Sequence, residues 1–432
     1  MALFSQDTLQ PGVRSREVFA WAMYDFANSG YTTVVLTAVF AAYFVGVVAD
    51  SAPWATFVWT LALSVSHAIV MFTMPAMGAW ADQRAAKKRL LMLCTVGCVL
   101  ATAALALVGP GAVALAAVLI IVSNVFFCWG ESLIAAFLPE LAKPAAMGRV
   151  SGWGWSLGYV GGMLALGLSL GYVLWAKAQG QTAAQFVPVT MLITATVFAL
   201  AASVTLGMLE EHAQPRAMFK AAGGWRTSLQ QLKIAFHDAR NYTDFMWLLA
   251  CAVAYQGGVA VAIALAAIYA EQVIGFVQQE TMVLIFVLNI AAMVGAFLFG
   301  YLQDRLGHKM ALAITLVGWM VTCVMAALTT TKGGFWYAAA IAGFCMGSSQ
   351  SSGRAMAGLF APPARTAEFF GLWAFATRLA SIIGPMSYGA ITWATGGNQR
   401  LAIGATAGLF AVGLVLLLPV NMARGREKAM SG

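Results

Sequence analysis

The sequence predicts an all-α membrane protein in which twelve transmembrane helices form two six-helix pseudo-repeats. Three observations carry that prediction. Of the 432 residues, 61% are hydrophobic and only 9% charged, with a mean hydropathy of +0.81, whereas soluble domains carry about 25% charged residues. The apolar stretches have the length a bilayer demands, roughly 20 residues or more. The two halves also repeat each other: Gly130, Glu131, Phe137, Pro139, Gly148, Gly161 and Met163 map by a shift of 223 onto Gly353, Arg354, Phe360, Pro362, Gly371, Gly384 and Met386. Gly78 and Asp82 map by 222 onto Gly300 and Asp304. In a chain with 43 glycines a Gly match is easy, so the matched Phe, Pro and Asp weigh more.

Charge and Gly/Pro punctuation place the spans near 17–48, 53–81, 90–109, 111–138, 148–176, 186–209, 243–271, 278–302, 309–329, 334–361, 367–395 and 400–420. With the N-terminus inside, nineteen Lys and Arg fall in inner segments and only Lys177, Lys332 and Arg400 outside, which predicts both termini in the cytoplasm. This sorting accounts for the formal charge of +8 without nucleic acid as a partner. No apolar run precedes Val18, so no cleaved signal peptide is expected and the first span serves as the insertion signal. An N-terminal six-helix bundle over 1–209, a linker over 210–242 and a C-terminal bundle over 243–432 follow. Within the linker, SLQQLKIAFHDAR from Ser228 puts Leu229, Leu232 and Phe236 on one face, the pattern of a helix on the membrane surface.

The first span carries the polar stretch AWAMYDFANSGY, Ala20 to Tyr31. Tyr24, Asn28 and Tyr31 share a stripe at helical spacing, and Asp25 and Ser29 lie one step round from it. A centrally placed Asp costs about 2.5 to 3.5 kcal/mol on insertion scales, so it should face the bundle interior or water and mark a functional site. Asn28 and Ser29 equally fit hydrogen-bonded helix packing. The six cysteines sit in apolar segments with no His or acid at metal-ligand spacing, so they read as small packing residues and no metal or cofactor is expected. His67 in the second span reads as a buried neutral side chain before it reads as a proton carrier.

Small residues recur every four positions at Gly154, Gly158 and Gly162 in the fifth span and at Ala292, Ala296 and Gly300 in the eighth. Such faces let backbones approach closely. At 1.5 Å per residue, Asp25, Glu131 and Arg354 lie roughly 10 to 13 Å in from the inner ends of their spans, and Arg378 roughly 15 to 18 Å. Two acids from the first half and two bases from the second make a bipolar cleft suited to a zwitterion or organic anion, with Arg offering a planar fork to a carboxylate. The competing reading pairs Glu131 with Arg354 as a structural strut.

After the second and eighth spans come GAWADQRAAKKR (Gly78 to Arg89) and GYLQDRLGHK (Gly300 to Lys309). Both resemble the Gly-x-x-x-Asp-Arg loop signature of the major facilitator superfamily, with the Arg displaced to Arg84 in the first copy. In that fold Asp82, Arg84, Asp304 and Arg305 are expected to gate the inner side, since such an Asp can accept from a neighbouring helix N-terminus. Three longer stretches resemble the vacuolar effluxer-like branch of the superfamily, named for an autophagy-related amino-acid exporter of fungal vacuoles. They are WAMYDFANSGYTTVVLTAVFAAYF, FLPELAKPAAMGRVSGWGWSLGYVGG and GSSQSSGRAMAGLFAPPARTAEFFGLWAFATRLASIIGP. The resemblance covers nearly the whole chain. Where that family often has Tyr-x-Asp-Gly in the seventh span, this chain reads Tyr255, Gln256, Gly257, and Arg378 stands where a Lys is usual.

The resemblance implies that the fifth and eighth spans meet across a central cleft, so the two small-residue stripes are read as the facing surfaces that slide during alternating access, with static packing as the alternative. It implies a monomeric secondary transporter of a small polar metabolite, an amino acid or organic anion, in the plasma membrane. Tyr24, Asp25, Asn28, Tyr31, Glu131, Tyr255, Gln256, Gln350, Arg354 and Arg378 are the expected substrate or proton site, with protons as coupling ion through Asp25 or Glu131. A membrane sensor or lipid-handling protein without a solute cycle is the alternative. An intramembrane enzyme is disfavoured, since no HExxH, paired catalytic Asp, Ser/His dyad or phosphate-cradling loop is found.

Overall fold

The computed structural model describes residues 6–213 and 237–431. Twelve long helices follow in order, in two sets of six: α1 (Ser15–Tyr31), α2 (Ala55–Arg84), α3 (Lys87–Ala104), α4 (Val113–Ala135), α5 (Met147–Ala178) and α6 (Ala183–Met208), then α7 (Thr243–Tyr269), α8 (Gln278–Leu306), α9 (His308–Leu328), α10 (Lys332–Phe360), α11 (Thr366–Ala394) and α12 (Gln399–Leu417). A short helix, α13 (Met422–Ser431), ends the described chain. Beyond Tyr31, α1 runs on in wide π turns over Thr32–Ala38 and Phe44–Val48. The expected surface helix from Ser228 lies outside the described residues up to position 236.

Among the described residues, eleven helices are long and apolar enough to cross a membrane. The twelfth, α10, is the most polar span, with GSSQSSGR in its second half. Its serines at 348, 349, 351 and 352 are buried inside the protein, away from lipid, and the hydroxyls of 348, 349 and 351 are hydrogen-bonded there. The outer surface shows the opposite pattern. On α2, Phe57, Leu61, Val65, Ile69 and Phe72 are exposed at helical spacing, a stripe facing hydrocarbon, where such side chains belong.

The halves meet along α2 with α11 and along α5 with α8 and α10. Glycines permit the closest approaches. A Cβ on Gly371 would press on the backbone of Pro75, 2.7 Å away, and one on Gly152 would press on the Ala296 carbonyl, 2.5 Å away. The Gly154, Gly158, Gly162 stripe faces α1, against Asp25, Ser29 and Thr33, and not α8. This corrects the expectation that it is the face α5 turns to α8: that contact uses Gly148, Gly152, Ser156 and Tyr159. The stripe was ambiguous because α5 is glycine-rich on two faces.

Candidate functional site

One acid from each half grips a helix start in the other half. Asp82, at the end of α2, accepts hydrogen bonds from the backbone N–H groups of Ala367 (3.1 Å) and Glu368 (2.9 Å). Asp304, at the end of α8, accepts from those of Gly148 (3.0 Å) and Arg149 (3.1 Å). These are the second and third residues of α11 and α5, and neither helix has a capping side chain of its own. Each Asp therefore supplies in trans the cap that Ser or Asp usually provides from the preceding residue, at the positive end of the helix dipole.

The cations beside these acids differ from those expected. Arg84 is exposed and stacked on Trp80, 4.5 Å from the ring centroid, and Arg305 is exposed. Lys87 stands beside Asp82, fully buried, bound to Glu140 and donating to Thr366 Oγ1 of the other half (2.9 Å). Arg149 Nε lies 3.4 Å from Asp304. Nothing in KKR distinguishes Lys87 from Lys88 and Arg89; its burial follows from the packing of α2 on α11. Glu211 accepts from the N–H groups of Lys87 and Lys88, and His212 bonds Glu17, so the start of the connection between the halves is tied to the same end. Next to this clamp, the Glu368 carboxylate bonds Arg365 and holds its guanidinium above the usual arginine range.

Deeper in the membrane, Arg354 of α10 reaches into the first half. Its Nη1 donates to Asp25 Oδ2 (2.7 Å), its Nε to Ser151 Oγ (3.2 Å) and its Nη2 to the Ser151 carbonyl (2.8 Å). The rings of Trp21 and Trp155 lie 4.7 and 5.2 Å from its guanidinium carbon, within cation–π range. Arg378 of α11 pairs instead with Glu131 of α4. The strut expected between Glu131 and Arg354 is thus replaced by two pairs, Asp25 with Arg354 and Glu131 with Arg378. The two pairs differ in access: Asp25 and Arg354 are buried, whereas the Glu131 side chain is 36% exposed.

The shift of 223 explains the geometry. It maps Glu131 onto Arg354 and Trp155 onto Arg378, so each half presents a charged residue on its fourth helix to a residue of the fifth helix in the other half. Trp155 could have been found by applying the shift one position further. Trp21 and Ser151 had no such signal.

The remaining expected residues divide. Tyr24 and Tyr31 are buried in the first bundle: Tyr24 Oη bonds Thr95 (3.1 Å), and Tyr31 bonds Ser123 (2.9 Å) and stacks on Phe127 at 4.8 Å. Tyr24 thus faces α3 and α4 and Tyr31 faces α4 of the same bundle. Tyr255 is likewise buried and accepts from Gln256, whose Nε2 also donates to Gln350 (2.8 Å) and joins α7 to α10. Asn28 is buried, and its side-chain amide has no hydrogen-bond partner among the described residues. The six cysteines are buried and free, and no cluster of metal-ligating side chains occurs among the described residues.

Among the described residues, the hydrogen bonds between the halves join residues in the half of the molecule nearest the chain termini, from the Asp82 and Asp304 clamps to the two ion pairs and the Ser156 bond to the Met293 carbonyl. The molecule is joined at its basic end.

Comparison with known proteins agrees with this architecture. The sequence model of the family described as "Vacuole effluxer Atg22 like" matches residues 41–430. The uncharacterized MFS-type transporter YxiO of Bacillus subtilis (strain 168) is 27% identical over 406 residues, 92% of this chain and 93% of that protein. The crystal structure of the human organic anion transporter MFSD10 superposes with a TM-score of 0.75 at 15% identity, covering 94% of this chain and 100% of that one. The proton:xylose symporter XylE superposes with a TM-score of 0.72 at 12% identity, covering 94% and 95%.

Proposed function

Because the chain belongs to the Atg22-like vacuole effluxer family of major facilitator transporters, we propose that it moves a small zwitterionic metabolite, an amino acid, by proton-coupled alternating access. Positive-inside counting puts the basic end in the cytoplasm of the cell that holds it in its plasma membrane. The structure, joined at that end, is then the outward-facing state, with Asp82 and Asp304 as its clamps.

One observation carries the reading: Glu131 and Arg378, from opposite halves, meet inside the membrane with the carboxylate a third exposed. An ion pair with its carboxylate a third exposed offers a carboxylate oxygen to an ammonium and a guanidinium to a carboxylate, so a zwitterion binds without leaving a net charge behind. Asp25 has the other task. Its charge holds Arg354 across the interface; protonation removes the attraction and releases the basic end. Substrate and proton thus act on the two pairs that bind the halves together, which couples them.

The test uses purified protein in liposomes. Labelled alanine should exchange at equal concentrations and accumulate when a pH gradient is imposed, and Asp25→Asn should keep exchange while losing the pH-driven accumulation. Folded protein that exchanges no amino acid would refute the reading.

A further inference from the structure

Three polar groups near the two ion pairs are buried and have no partner among the described residues: both ends of the Asn28 carboxamide, the indole N–H of Trp155 and Nε of Arg378. Asn28 is only 6% exposed. Native proteins rarely keep such groups unpaired without a ligand or an ordered water to meet them.

Each belongs to one of the two ion pairs or its neighbouring turn: Asn28 is one turn beyond Asp25, Trp155 lies against Arg354, and Arg378 bonds Glu131. On α1, Tyr24 and Tyr31 are anchored on α4, at Gly130 and Phe127, whereas Asp25 and Ser29 face α5 at Gly154 and Gly158. At about 100° per residue, Asn28 falls between these two faces of α1. Along the helix it is one turn beyond Asp25, between Tyr24, which meets Gly130, and Tyr31, which stacks on Phe127; Glu131 follows Gly130 on α4. Trp155 and Arg378 occupy equivalent positions on α5 and α11, each against the charged residue of the opposite half's fourth helix.

We propose that Asn28 reads the substrate's side chain and that the preferred substrate is an amino acid bearing a carboxamide. The inference rests on the zwitterion reading of Glu131 and Arg378. With the ammonium at Glu131 and the carboxylate at Arg378 Nε and the Trp155 N–H, Asn28 is left to meet the side chain with one acceptor and one donor. A hydrocarbon leaves both unpaired. A carboxylate leaves the Asn28 oxygen unpaired, and an ammonium leaves its nitrogen unpaired. A carboxamide matches both at once, in paired antiparallel hydrogen bonds.

The experiment measures competition against labelled alanine exchange in liposomes containing the full-length protein, with glutamine and its hydrocarbon counterpart norvaline as competitors. Wild-type protein should prefer glutamine over norvaline by roughly tenfold or more, the scale on which a site built to hydrogen-bond rejects an analogue lacking the group. In Asn28→Leu that ratio should fall to about one, whatever the absolute rate. If that variant does not purify in a monodisperse form, Asn28→Asp, which keeps the size and an acceptor but not the donor, should show the same collapse. A wild-type ratio near one, or a ratio that survives the substitution, overturns the proposal. Failure of alanine exchange itself would instead remove the zwitterion reading, and the two failures are distinct because alanine carries no carboxamide.

Discussion

Asp25→Asn tests the link between a single charge and the conformational equilibrium. In the structure Arg354 makes four polar or cation–π contacts to the first half besides its bond to Asp25: two with Ser151 and one each with Trp21 and Trp155. These persist in the variant, and the Asn oxygen still accepts one hydrogen bond. What is lost is the counter-charge of a guanidinium that is only 5% exposed. Removing one partner of a buried pair outright costs about 3–5 kcal/mol. With the hydrogen bond kept in neutral form, a loss of about 2 kcal/mol is expected, since charge-assisted bonds are roughly twice as strong as neutral ones.

The pair joins the halves, so that loss falls on the basic-end-closed state and not on the open one. It shifts the equilibrium about 30-fold toward opening. Spin labels on Arg89 and Arg305, both exposed at the basic end on opposite halves, report the shift as a longer-distance population that grows in Asp25→Asn. Lowering the pH should produce the same population in the wild type and add little in the variant. An unchanged distance distribution with unchanged melting temperature would refute the idea that Asp25 locks the interface.

The trans caps should behave additively, because Asp82 and Asp304 serve different helix starts. Asp82→Asn and Asp304→Asn should each cost about 1 kcal/mol of closed-state stability and each broaden the same spin-label distance, and a variant that transports normally with no broadening returns that Asp to a structural role. Exchanging the exposed pair, Glu131→Arg with Arg378→Glu, should recover the folded yield lost in the single variants but not alanine exchange; recovered exchange would show the pair to be a strut. Gly371→Ala drives a methyl into the Pro75 backbone, so it should lower the melting temperature by the equivalent of about 1–3 kcal/mol, and an unaffected protein would mean that α2 and α11 separate freely at this level. For topology, single cysteines at Lys177, Lys332 and Arg400 should label from outside and those at Arg89 and Lys309 from inside; the reverse pattern would invert the assignment.

The helices, their order and the two-fold repetition were legible in the chain before folding, because a bilayer admits few solutions: apolar length makes a span, and duplicated Gly, Pro and Asp mark equivalent turns. Asp25, Glu131, Arg354 and Arg378 stood out for the same reason, as charges in apolar runs. Their pairing did not. Asp25 and Arg354 are 329 positions apart and Glu131 and Arg378 are 247 apart, and which acid meets which base depends on how α4 and α10 cross α5 and α11. A polar stripe on a helix does not show which neighbour it faces, and Tyr24 and Tyr31 face α3 and α4 of the same bundle. Lys87, one basic residue in a run of three, became a buried clamp only when α2 and α11 closed around it, and Asn28 became notable only when packing left its buried amide without a partner among the described residues. Local periodicity specifies elements; partnership across the pseudo-two-fold axis is a property of the packed pair of bundles.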